Sequence, residues 1–116
     1  MPLLKIQTNV EVPAASRGAL LKQASDAVAG ALGKPEQYVM VSLEHNPDML
    51  FGGDGRSLAY LELKSIGLPE ERTAELSASL CRMMSDHLGV AEDRTYIEFA
   101  NAARHMWGWN GGTFER

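Results

Sequence analysis

Loss of Met1 would turn Pro2 of this 116-residue chain into an N-terminal secondary amine, a nitrogen base that no side chain has to present. Methionine followed by a small residue is the usual substrate for such trimming. Position alone leaves a second role open: a proline that merely starts an edge strand does no harm by lacking an N–H, and that structural use is the commoner one. Other side chains offer less. His45, His87 and His105 stand 42 and 18 residues apart, without the short helical pairing that zinc sites favour, so no metal site is expected. Cys81, the one cysteine, cannot close an intramolecular disulfide and sits among Leu80 and Met84 as a small core hydrophobe would. No serine lies in a Gly-x-Ser-x-Gly elbow, and Asp86 and Glu98 form no evident carboxylate pair. The run Phe51-Gly52-Gly53-Asp54-Gly55-Arg56-Ser57 lacks the Gly-Lys-Ser/Thr ending of a phosphate loop and reads as a turn. Both tryptophans, Trp107 and Trp109, fall with Phe114 in a glycine-punctuated tail. Aromatics there either line a pocket or anchor a subunit contact, the second more commonly.

A base at Pro2 needs a strand to hold it. Leu4, Ile6, Thr8 and Val10 alternate behind it and predict a β-strand with one apolar face; Ala59, Leu61, Leu63 and Ser65 predict another. Helical spacing links Leu20, Ala24, Ala27, Val28, Ala31 and Leu32, and again Leu76, Leu80, Met83, Met84, His87 and Leu88. Pro13 and Pro69 lie near the helix starts, and Gly33 and Gly89 are placed as C-terminal stops. Val39, Val41 and Leu43 predict a closing strand for the first unit, and Thr95, Ile97 and Phe99 one for the second. Corresponding landmarks recur 56 residues apart, so the chain reads as one domain, 1–116, built from repeats of approximately 2–55 and 56–116.

Each β-α-β crossover should be right-handed with parallel strands, giving an α+β fold: a mixed four-stranded sheet with two helices on one face. The other face would carry Tyr60, Glu62, Lys64, Met40, Ser42, Tyr96 and Glu98, too polar for a core and too apolar for water alone. Burial against further copies is the simplest solution, so a closed homo-oligomer is expected.

Composition narrows the partners. The chain is 45% hydrophobic and 22% charged with a formal charge of −4, which argues against nucleic acid. No apolar run reaches membrane length and nothing at the start reads as a signal peptide, so the expected location is cytoplasmic.

The fragments Thr8-Asn9-Val10, Gly33-Lys34-Pro35 with Gln37-Tyr38, Phe51-Gly52-Gly53, Ser65-Ile66-Gly67, Asp93-Arg94 with Tyr96-Ile97, and Gly108-Trp109-Asn110 with Thr113-Phe114 follow Pro2 along the whole chain. Together they resemble the macrophage migration inhibitory factor family of tautomerases. The resemblance implies a homotrimer with active sites between subunits, no cofactor, and keto–enol tautomerisation of a small, aromatic 2-keto acid of the phenylpyruvate or dopachrome kind. Pro2 would be the general base and then acid, its pKa lowered by an apolar pocket and a nearby cation. Lys34 matches the lysine that supplies this cation and engages the substrate carboxylate or enolate oxygen. Ile66 matches a backbone N–H contact, Tyr96 a pocket residue from a neighbouring subunit, and Trp109 and Phe114 the pocket walls.

Trp107 and Glu98 depart from the family's smaller apolar residue and Asn, implying a bulkier wall and a carboxylate that would repel an acidic substrate. The resemblance implies an alternative function as well: a cytokine-like ligand of a protein receptor, exported without a signal peptide. The thiol motif of some members is missing, since Leu58-Ala59-Tyr60-Leu61 stands in its place.

Overall fold

A computed structural model describes residues 1–115. Six alternating residues, Leu3–Thr8, form strand β1; Leu4, Ile6 and Thr8 are wholly buried and their neighbours are not. Helix α1 spans Ala14–Leu32 and puts Leu20, Ala24 and Val28 into the core. Strand β2 spans Met40–His45, and β3 spans Ala59–Ile66. Helix α2, Thr73–Leu88, buries Leu76, Leu80, Cys81, Met83, Met84 and Leu88. Strand β4 is Thr95–Ala102, and a small hairpin of β5 (Gly108–Trp109) and β6 (Gly112–Thr113) follows. Pro69 precedes α2 by one short 3-10 turn, Glu70–Arg72, rather than opening it.

The sheet order is β2-β1-β3-β4, with β1 parallel to β2, β3 parallel to β4, and the two units joined antiparallel through β1 and β3. The predicted α+β fold with a mixed four-stranded sheet and two helices is therefore observed. One expectation is corrected: β1 is not an edge strand. It carries neighbours on both sides, because each unit's first strand pairs with the other's.

Register places like with like. Leu4 stands between Val41 and Leu63, and Ile6 between Leu43 and Leu61; Leu61 and Leu63 face Ile97 and Phe99 on β4. With the buried helix faces these residues form the core cluster. Each fully buried Leu or Ile contributes about 1.5–3 kcal/mol of apolar transfer.

The helix-free face is charged and paired in part. Lys64 Nζ lies 3.2 Å from Glu62 Oε1, and Lys5 Nζ 3.9 Å from Glu44 Oε2. The Lys64 hydrogen bond, with another from Tyr60, lowers the pKa of Glu62; burial, then Glu62, raises that of Tyr60. Met40 and Tyr96 are 66% and 65% exposed on this face, more than an isolated sheet surface favours. No helix among the described residues is long and apolar enough to cross a membrane.

Candidate active site

Pro2 is wholly buried at the start of β1, and its carbonyl accepts the Met40 amide at 2.9 Å. The Met1 amine donates to the Tyr38 carbonyl at 2.7 Å. Two backbone contacts to one neighbouring segment thus fix where the chain begins. Met1 is attached here, so the Pro2 nitrogen is an amide and the terminal amine lies one residue upstream. That amine has its pKa lowered, first by burial and then by the positive charge of Lys34. Both effects disfavour the protonated form.

The end of α1 delivers Lys34. Gly33 adopts φ 63°, a left-handed conformation that costs glycine nothing, and the next amide, that of Lys34, donates back to Ala29 at 3.0 Å. Pro35 then prevents the helix from continuing. The half-buried Lys34 side chain reaches the turn after β3: a Cβ added at Gly67 would lie 3.9 Å from its Nζ. Leu3 pairs with Lys64 across β1 and β3, so continuing that register brings Ile66 level with the chain start. Pro2, Lys34 and Ile66 are therefore gathered at one end of the sheet.

The tail supplies the walls. Asn110 and Gly111 both have positive φ, 51° and 78°, as a two-residue hairpin turn demands. The Phe114 amide closes the hairpin onto the Trp107 carbonyl at 3.2 Å. This stacks the Trp109 and Phe114 rings at 5.3 Å and 13°. Tyr38 meets both edge-on, at 5.5 and 5.9 Å. A cavity of about 440 Å³ lies between this cluster and the chain start, lined by Met1, Pro2, Tyr38, Met40, Trp107, Trp109 and Phe114.

Tyr96 and Glu98 do not join this group within one chain. Both lie on β4, separated from β1 by β3, and Tyr96 pairs with Tyr60, which pairs with Gln7 at the far end of β1. Strand geometry puts Tyr96 roughly 15–20 Å from Pro2. Glu98 is exposed and in register with Glu62.

Two residues escaped the sequence reading of the site. Tyr38, quoted only as part of a fragment, is the edge-on partner of both wall rings. Asn110-Gly111 was the signal for the hairpin that brings those rings to it. Arg94 is the second: only 9% exposed, it holds the loop before β3. An arginine surrounded by carbonyls leaves no periodic trace.

Comparison with known proteins gives the family and the fold. The family model described as macrophage migration inhibitory factor (MIF) matches residues 1–115. The chain is 38% identical over 115 residues to the macrophage migration inhibitory factor homolog of Brugia malayi, covering 98% of this chain and 99% of that protein. Against macrophage migration inhibitory factor of Mus musculus the identity is 34%, with 98% and 99% covered. The crystal structure of the homologue from Prochlorococcus marinus superposes with a TM-score of 0.91 at 42% identity, over 97% of this chain and 98% of that one.

Proposed function

Because this chain belongs to the macrophage migration inhibitory factor family, we propose that it is a keto–enol tautomerase of small aromatic 2-keto acids, with Pro2 as its base once Met1 is removed. One observation carries the reading: wholly buried Pro2 opens onto a cavity of about 440 Å³ walled by Tyr38, Trp107, Trp109 and Phe114, at the end of the sheet that the Lys34 side chain also reaches. Burial and then the charge of Lys34 lower the pKa of the amine at the chain start, the direction that a general base requires.

In the proposed reaction the Pro2 nitrogen takes a proton from the carbon beside the substrate carbonyl. Electrons move onto the carbonyl oxygen, and the same proton is then returned to that oxygen, giving the enol; the reverse direction uses the same steps. Lys34 stabilises the enolate oxygen or holds the carboxylate, and the Ile66 backbone N–H adds a donor. The Trp109 and Phe114 rings, 5.3 Å apart, offer an apolar wall to an aromatic substrate. Trp107 narrows the cavity.

The distance of Tyr96 and Glu98 from Pro2 supports a homotrimer in which a neighbouring copy brings β4 to this cavity. The exposed Met40 and Tyr96 on the helix-free face favour the same assembly. Light scattering on the purified chain checks it, and a monomer would count against the shared site.

Steady-state tautomerisation of phenylpyruvate, paired with intact mass measurement, tests the enzyme reading. Turnover should scale with the fraction of molecules lacking Met1 and fall by about a hundredfold or more in Pro2→Gly. Normal turnover by a fully Met1-bearing preparation would sink the mechanism. A second reading, a cytokine-like ligand, is favoured by the name of the murine relative. Receptor-ectodomain binding that survives Pro2→Gly would support it.

A further inference from the structure

The loop joining β2 to β3 holds no strand or helix, only a bridge between Phe51 and Asp54; Thr8 and Asn9 hold its end near β3, and one buried side chain binds four of its carbonyls. Arg94 ends the short turn Glu92–Arg94, directly before β4. Its Nε donates to the Ser57 carbonyl at 3.1 Å, Nη1 to Phe51 at 3.2 Å, and Nη2 to Asp54 and Arg56 at 3.2 and 3.0 Å. Nη2 also lies 3.0 Å from the Asp54 carboxylate. The planar five-donor fork of arginine suits this clustered demand, which the single ammonium of lysine does not.

The same guanidinium lies over the Phe51 ring, 5.2 Å from its centroid, and Phe51 in turn packs against Tyr96 at 4.6 Å and 47°. Tyr96 is 65% exposed, so packing on Phe51 restricts a ring that water would otherwise leave free. Arg94, Phe51 and Tyr96 form a continuous chain of contacts running from a buried charge to an exposed phenol.

We propose that Arg94 is a positioning residue: through Phe51 and the loop it clamps, it holds the Tyr96 ring in the orientation that a neighbouring copy's cavity receives. This consequence for substrate rests on the tautomerase reading above; the ring orientation itself does not. A preset Tyr96 lowers the ordering cost of completing the site, and so acts on substrate affinity rather than on the proton transfer at Pro2.

Ring-proton NMR of Tyr96 in the full chain, in Arg94→Lys and in Phe51→Leu tests the proposal, alongside steady-state turnover of phenylpyruvate. In both variants the Tyr96 resonances should lose the ring-current shift from Phe51 and move toward those of a solvated tyrosine. KM should rise about tenfold with kcat within about twofold, the split expected when binding alone is lost. Added to Tyr96→Ala, neither change should raise KM by more than about twofold further, because all three act through one ring. Unmoved Tyr96 resonances in folded Arg94→Lys overturn the proposal, as does a KM effect that adds fully to Tyr96→Ala. Should Arg94→Lys fail to fold, Phe51→Leu decides through KM alone, because deleting the ring removes its own ring-current shift: an unchanged KM, or one that adds fully to Tyr96→Ala, overturns the proposal. Turnover surviving Pro2→Gly would instead remove the tautomerase reading, and the Tyr96 resonances would then decide the role of Arg94 alone.

Discussion

Met40 donates its amide to the Pro2 carbonyl at 2.9 Å, so the orientation of the chain's second residue is set by backbone pairing to the edge strand β2. The pairing does not depend on side-chain identity at Met40, which is 66% exposed. Loss of Met1 removes the amine that donates to Tyr38 but leaves this second bond in place. The proline nitrogen is thus held before processing has occurred.

Lys34→Gln should move the acid limb of the kcat/KM profile to higher pH. Removing the cation takes away one of the two causes that lower the terminal amine's pKa, so more alkali is needed to free the base. KM for phenylpyruvate should rise roughly tenfold as a charge-assisted contact is lost. An unmoved limb in the pH profile would separate Lys34 from the base.

Glu98→Asn should raise kcat/KM on phenylpyruvate, by about two- to tenfold for removal of a partly solvated like charge. Glu98 is exposed on β4 and stands opposite Glu62, whose own carboxylate is engaged by Lys64. Equal or lower kcat/KM in the variant would place Glu98 outside the shared pocket.

Leu61→Ala should destabilise the chain by about 2–5 kcal/mol, since it removes a wholly buried side chain paired with Ile6 and Ile97. Denaturant unfolding measures it. A loss below about 1 kcal/mol would mean that the two units do not share the core through β1 and β3.

Acid should release the 51–57 loop late. Hydrogen bonds from Arg56 hold the Asp54 carboxyl down to about 2, from an ordinary value of 3.8. A carboxyl lowered in the folded state contributes stability that is complete above the ordinary value and lost as pH falls through the lowered one. Protection of the Arg56 amide, which donates to Asp54 Oδ1 at 3.0 Å, should therefore persist at pH 4 and fail near pH 2 in hydrogen exchange. Loss already at pH 4 would contradict the Asp54 contact.

The strands and helix ends were legible because they depend on local periodicity and on residues with special backbone freedom. Leu4 and Ile6 alternate with solvent-side neighbours, and Gly33 and Gly89, placed as helix stops, end α1 and α2 in the left-handed conformation. The central place of β1 was not legible, since strand order depends on which unit pairs with which. The site was legible where it followed the helix end at Lys34 and the strand start at Pro2. Tyr38 escaped because its role depends on rings about 70 residues away closing over it. Arg94 escaped because four carbonyls from a loop without repeat define its surroundings.

Helix α1 is a strut of fixed length. Its apolar stripe, Leu20, Ala24 and Val28, locks the rotation of the helix against the sheet, and its 19 residues span about 28 Å before Gly33 ends it. One inserted residue would turn everything beyond it by about 100°, carrying the Lys34 ammonium around the helix axis and away from Gly67. A whole added turn would restore the angle but displace the charge by about 5 Å. The first helix can therefore exchange residues freely on its outer side, while insertions and deletions within it separate the cation from the chain start even where the core still forms.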